Sequence, residues 1–237
     1  MGSKVPDMQK TGSDETISRI SLFAYLTPEE LSDIGKIILE KRFSKNEFIL
    51  MEQDTPNYMY IMYTGKVKVI QISVDGKEHI LAIHKKGDFF GEMSLLDHKT
   101  SPATVIAMED SHIGLLSKDD FDRFFLKDPR LLNQIISLLC LRLREAWLML
   151  KVLSFADAED KVRAVLKLIS TNNGVKDARG TVITIRLTHN DIAGYASVSR
   201  ETVTRILDRF LVNGEIELIE NKLLLLKPLF FQKTQLL

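Results

Sequence analysis

Between residues 42 and 116 the apolar positions come in short runs, at 48–51, 58–62, 66–72, 79–83, 103–107 and 112–116. Thr64-Gly65, Asp75-Gly76 and Lys86-Gly87-Asp88 punctuate them. Within 66–72 the pattern alternates and places Val67, Val69 and Gln71 on one face. Asp75-Gly76 between two such runs is a hairpin signal. Many short strands at this spacing predict an antiparallel roll or barrel. Upstream, residues 1–16 are polar and predict a flexible tail, after which 17–23 turns apolar. Thr27-Pro28-Glu29-Glu30 then supplies an N-cap, a proline at the first helical position and acids in the first turn. A helix is predicted from there to about Lys41.

Beyond the roll the period changes. Lys118-Asp119-Asp120 opens a short helix, and Asp128-Pro129 separates it from a long one reaching about Phe155. Leu132, Ile136, Leu139, Leu143, Ala146, Leu150 and Leu153 recur along the long helix in alternating steps of four and three. That is a heptad seam, and it predicts a parallel pairing with a second copy. A helix packed only on its own domain is the plainer alternative. Residues 158–170 form a further helix with Val162, Val165, Leu166 and Ile169 as its buried stripe; 171–180 reads as a loop and 182–187 as a strand. Two helices joined at Ser197-Val198 follow, and then a hairpin of 215–219 and 222–226.

Composition adds bounds. The chain has 237 residues, 45% of them hydrophobic and 27% charged, which suffices for a buried core without staples. One cysteine, Cys140, excludes an internal disulfide framework and is consistent with a reducing cytoplasm. No apolar run reaches membrane-span length, and no secretory leader is recognisable, so no membrane partner is expected. The formal net charge is zero, but from Ala158 onward twelve Lys and Arg stand against nine Asp and Glu. This mild polarity permits nucleic-acid binding by the C-terminal part.

The paired helices carry the chemistry. Thr188 with Asp191 matches a capping box, and Ser199 can cap the second helix. That helix turns Val203, Ile206, Leu207 and Phe210 one way, and Arg200, Glu201, Thr204, Arg205 and Asp208 the other. Arginine can donate twice to guanine, and glutamate can accept from cytosine, in the major groove. Arg209 and Arg186 are placed for phosphates. An amphipathic helical pair with a solvated charged face would look similar; its position between a seam helix and a hairpin favours a winged helix-turn-helix that reads DNA.

The chain resembles the catabolite-activator/FNR (CRP/FNR) family of bacterial transcription regulators from about Ile17 to Leu226. The roll carries the resemblance through Tyr60-Ile61-Met62-Tyr63-Thr64-Gly65-Lys66-Val67-Lys68-Val69, Gly76-Lys77-Glu78 and Gly87-Asp88-Phe89-Phe90-Gly91-Glu92-Met93-Ser94-Leu95-Leu96. The C-terminal part carries it through Leu187-Thr188, Asp191-Ile192-Ala193 and Ser199-Arg200-Glu201-Thr202-Val203-Thr204-Arg205. It implies an α+β protein in four parts: a tail over 1–17, a cyclic-nucleotide-binding-like β-roll sensor over 18–127, a dimerisation helix and hinge over 128–156, and a winged helix-turn-helix over 157–237. It also implies a homodimer on a palindromic, TGTGA-like DNA site, with Arg200, Glu201 and Arg205 as base readers. Ser199, Thr188, Thr204 and Arg209 complete the interface, and RNA polymerase is met near 171–180. Where the family turns on a glycine, this chain has Ser197.

The resemblance places the effector pocket at Gly91, Glu92, Met93, Ser94, Ser101, Arg142, Ala146 and Trp147. Family members that take a cyclic nucleotide neutralise its phosphate with an Arg-Ser or Arg-Thr pair. Here those positions hold Ser101-Pro102, and proline has no amide hydrogen. The hydroxyl pair that meets the base becomes Ala146-Trp147. A charge-assisted pair contributes a few kcal/mol, so its loss argues against cyclic AMP and leaves the effector unnamed, with no cofactor expected. An iron–sulfur cluster would need four cysteines. A haem sensor would draw on His79, His84, His98 or His112, none in a diagnostic pairing. A cyclic-nucleotide module of a kinase or channel would end without the helix-turn-helix, and no motif of an enzyme or of a metal site is present.

Overall fold

The computed structural model describes residues 20–74 and 76–233. The tail expected over 1–17 and Asp75 of the hairpin turn lie outside the described residues. The chain divides into two compact units, one comprising 1–72 and 80–142, the other 73–79 and 143–237.

In the first unit, helix α1 (Pro28–Ile37) starts on a complete capping box: the Glu30 amide donates to the Thr27 hydroxyl, and the Thr27 amide to the Glu30 carboxylate. It stops short of the predicted Lys41. Ile38 is extended, and strand β1 (Leu39–Phe43) pairs antiparallel with the strand at Ser111–Ser117, Leu39 opposite Leu115. Sheet pairing overrides helix propensity here, because it carries Leu39 and Phe43 into the core of the roll.

Strands β2 (Phe48–Leu50), β3 (Tyr58–Thr64), β4 (Lys66–Ile72), β5 (Glu78–Lys85), β6 (Phe89–Phe90), β7 (Thr104–Ala107) and β8 (Ser111–Ser117) complete two four-stranded sheets. Their orders are β1-β8-β3-β6 and β2-β7-β4-β5. Phe43, Tyr60, Met62, Val67, Phe90, Val105 and Ile113 fill the space between them. The alternate residues of β3, Met59, Ile61 and Tyr63, face the other way, against Phe23, Ile34, Phe121, Phe125, Leu131 and Ile135. Both faces of β3 are therefore covered, which explains its unbroken apolar run. One alternation fails: in β4, Val67 and Ile70 are buried while Gln71 is exposed. Gln71 donates instead to the Pro102 carbonyl.

Helices α2 (Glu92–Asp97), α3 (Lys118–Phe124, capped by Ser117) and α4 (Pro129–Leu153) follow. The first turns of α4 anchor in the first unit through the fully buried Leu131 and Ile135. Along the expected seam, Ile136, Leu143 and Leu150 are 49%, 50% and 66% exposed. Ala146 is exposed too, while Leu132, Leu139 and Leu153 are half-buried.

In the second unit, α5 (Ala158–Asn173) buries Val162, Val165, Leu166 and Ile169 as the pattern requires. The loop expected over 171–180 is instead the end of α5, strand β9 (Gly174–Asp177) and a turn. The strand expected over 182–187 is β10 (Gly180–Ile183). At its end the Thr184 amide and hydroxyl both donate to the Asn173 carbonyl, each at 2.8 Å, one rung beyond the last strand pair of Ile183 and Gly174. Helices α6 (His189–Ala196) and α7 (Arg200–Val212) come next, then β11 (Ile216–Leu218), β12 (Leu224–Leu226) and α8 (Pro228–Gln232). The order β11-β12-β10-β9 makes the predicted hairpin part of a four-stranded wing sheet.

A buried ion chain stitches this unit. The Arg163 guanidinium lies 4.2 Å from the Phe210 ring centre and 5.2 Å from that of Phe230. It donates to Glu215 at 2.5 Å and to Glu159 at 2.9 Å. Lys233 closes the far side of Glu215 at 2.7 Å.

Candidate functional site

The α6–α7 pair is fixed by local chemistry. Thr188 caps α6 by accepting from the Asp191 amide at 3.1 Å, and the Asp191 carboxylate takes the Thr188 amide at 2.8 Å and its hydroxyl at 2.7 Å. Ser197 adopts the left-handed conformation at φ 51° and ψ 48°, the one a glycine would take more cheaply. Its amide and that of Val198 donate back to the Ala193 carbonyl and close the turn. Ser199 caps α7 by accepting from the Thr202 amide at 3.1 Å.

On α7, Val203, Ile206, Leu207 and Phe210 are buried, while Arg200, Glu201, Arg205 and Asp208 are exposed. Arg205 donates to the Thr202 hydroxyl at 3.3 Å. The Glu201 carboxyl is held below its ordinary range by the backbone amide at the helix start, then by the Ser199 hydroxyl and Arg200. It therefore presents a carboxylate at neutral pH, which a cytosine amine requires.

The other expected interface residues carry internal duties. The hydroxyls of Thr188 and Ser199 serve as caps. The Thr204 hydroxyl bonds to His189 and to the Arg200 carbonyl. Arg209 donates to Glu159 at 2.6 Å. No local pattern in the sequence announces Glu159 and His189, because their partners lie fifty and fifteen residues away.

Around the expected effector pocket the polar groups face inward. Gly91, at φ +85°, starts α2, and a Cβ there would press on the Tyr58 carbonyl and the Tyr60 ring, each at 3.0 Å. Glu92 is 1% exposed. Arg142, from α4, bonds to its Oε1 and to the Phe89 carbonyl, and lies over the Phe89 ring. Glu92 Oε2 is buried with no partner. Burial raises the Glu92 pKa, against the pull of Arg142. Nearby, His84 stacks on Phe90, and burial, aided by the Arg142 charge, pushes its pKa down to about 3.

Ser94 is buried and Met93 exposed. Ser101 is fully committed: its hydroxyl donates to the Ala103 carbonyl, its amide to Asp54, and its carbonyl accepts from the Gln53 amide. No arginine stands there, since Pro102 and Ala103 follow, and Lys99, two residues before, is exposed. In the second unit, Ala146 and Trp147 are exposed on α4, Trp147 by 59%. Among the described residues no group of His, Cys, Asp and Glu is arranged to hold a metal.

Comparison with known proteins bears on both units. The family model for the cyclic nucleotide-binding domain matches residues 40–128, and that for the Crp-like helix-turn-helix domain matches 162–228. A cyclic AMP receptor protein of Thermus thermophilus is 34% identical over 199 residues, covering 83% of this chain and 88% of its own. A CRP-like cAMP-activated global transcriptional regulator of Mycobacterium tuberculosis is 30% identical, covering 86% of this chain and 92% of its own. Among solved structures, a CooA variant from Carboxydothermus hydrogenoformans superposes with a TM-score of 0.72 at 25% identity, over 84% of this chain and 88% of its own.

Proposed function

Because the chain belongs to the CRP/FNR family of bacterial transcription regulators, DNA-binding proteins without catalytic activity, we propose that it acts as a homodimer on a palindromic, TGTGA-like operator. Arg200, Glu201 and Arg205 read each half-site. The observation that carries this reading is the division of α7 into a buried face through Val203, Ile206, Leu207 and Phe210 and an exposed face holding those three side chains. Thr188 and Ser199 hold the helices through their caps, and Arg209 meets a phosphate with the N–H groups that Glu159 leaves over.

The exposure of Ile136, Leu143 and Leu150 at seven-residue intervals supports a second copy as the partner of α4. The working organisation is a roll sensor over 18–127, a dimerisation helix over 128–156 and a DNA-reading part over 157–237. RNA polymerase is met through the turn between β9 and β10. No helix among the described residues is long and apolar enough to cross a membrane, in keeping with work in the cytoplasm.

Selection from randomised duplexes tests the proposal. The expected product is an inverted repeat with half-site centres one helical turn apart. Absence of any enriched sequence would overturn it.

The effector in this reading is a small molecule other than cyclic AMP, bound near Gly91, Glu92 and Arg142. The names of the Thermus and Mycobacterium relatives favour a second reading, in which cyclic AMP is the ligand. Against it stand the loop without an arginine, the committed Ser101 and the claim of Arg142 on Glu92. Titration calorimetry with cyclic AMP separates the two: no saturable heat is expected, and a micromolar Kd would establish the second reading.

A further inference from the structure

Thr204, half-buried at the border of the exposed face of α7, has its chemistry decided by its neighbours. Thr204 Oγ1 lies 2.8 Å from Nδ1 of His189, in the first turn of α6, and donates at 3.0 Å to the Arg200 carbonyl one turn back. A hydroxyl has a single hydrogen. With that hydrogen on the Arg200 carbonyl, the contact with His189 is a donation from the imidazole N–H. No hydrogen then remains for a base acceptor. Threonine is stiff about χ1, because two heavy atoms share its Cβ; fixing the oxygen also fixes the methyl group. The γ-methyl is what Thr204 has left to offer. Its neighbours on the same face are Arg200, Glu201 and Arg205, all exposed.

We infer that Thr204 reads DNA through its γ-methyl, against the C5-methyl of a thymine, and that His189 is the positioning residue that enforces this by engaging the hydroxyl. A free threonine hydroxyl discriminates poorly, since it can donate or accept, whereas an apolar contact selects the one base that carries a methyl group in the major groove. The inference rests on α7 being the base-reading helix, and it adds a specificity position to the three charged readers.

The test uses the full-length protein and its selected operator, with each thymine replaced in turn by deoxyuridine, which lacks only the methyl. One thymine per half-site is expected to show roughly fourfold weaker binding on replacement, the worth of one buried methyl group. Thr204→Val should keep that penalty and Thr204→Ser should abolish it. His189→Ala should shrink it, while His189→Asn, which retains an N–H donor, should preserve it. A merely structural role for His189 would change overall affinity or Tm and leave the uracil penalty untouched. Wild-type indifference to uracil at every thymine, a penalty that survives in Thr204→Ser, or one lost equally in Thr204→Val and Thr204→Ser would overturn the inference while leaving DNA reading intact. Failure to select any operator would overturn the reading of α7 and this inference together.

Discussion

On α7 the charged side chains Arg200, Glu201 and Arg205 stand in solvent above an apolar floor, whereas around Glu92 the charged groups are turned inward and spent on one another. In the DNA-reading unit the caps and turns use short polar side chains, Thr188, Asp191 and Ser199, while Arg200, Glu201 and Arg205 stay exposed. In the roll, Arg142 is consumed by Glu92 and the Phe89 carbonyl. A binding surface is thus recognisable by what its neighbours leave unused, and by that measure the two ends differ although both retain the family's fold.

The largest expected effect would break this comparison at the sensing end. Arg142→Ala strands the buried Glu92 carboxylate, and loss of one partner of a buried pair costs about 3 kcal/mol or more, lessened here because Arg142 itself is partly exposed. The folded-state pKa of Glu92 is raised, so the folded form binds its proton more tightly than the unfolded form. The penalty is therefore small while Glu92 is protonated and grows as pH rises through its raised folded-state pKa. Urea midpoints at pH 5 and pH 8 check this: the variant should lose more stability at pH 8. An equal loss at both values would mean that Glu92 is not the group Arg142 serves.

Arg200→Ala comes next. It should weaken operator binding by about 1–3 kcal/mol and relax base choice at one position. Competition binding against single-base operator variants reads this out. Uniform weakening on all sequences would make Arg200 a phosphate contact, and the two ends less different than they look.

A last prediction, read as the absence of a titration, sharpens the contrast. The His84 pKa is lowered from 6.5 to about 3, so the folded form resists protonation. Stability held above pH 6.5 is then lost progressively as pH falls towards 3. Ring-proton NMR should show His84 flat from pH 8 to pH 5. A midpoint near 6 would mean that water reaches the cluster.

Much of this was legible along the chain, for reasons that differ by element. The box of Thr188 and Asp191, the stripe of α5 and the two faces of α7 depend on residues three or four apart, and the sequence displays such intervals directly. The first residues of β1, 39–41, continue the helical pattern along the chain, because the partner β8 that draws them into a sheet is some seventy residues away. Strand β6 has only two residues, and β9 is drawn into the sheet by pairing with β10. Gln71 followed an alternation that the end of β4 does not keep. The pocket residues were found by resemblance, but the bond of Arg142 to Glu92, which decides what they can do, spans fifty positions. Long-range charge pairing has no periodic signature, so it is the part of a site that sequence hides best.

The ion chain through Arg163 and Glu215 also constrains how this protein can change over generations. Both side chains are almost wholly enclosed, the guanidinium between Phe210 and Phe230. Replacing either alone removes the most enclosed contact of the chain and leaves Glu215 to Lys233, or Arg163 to Glu159, a destabilising step because the remaining charge stays buried. Replacing both with apolar side chains of matching volume does not carry that penalty. The two positions should therefore change together rather than singly, and the pair should serve as a marker of descent among related regulators.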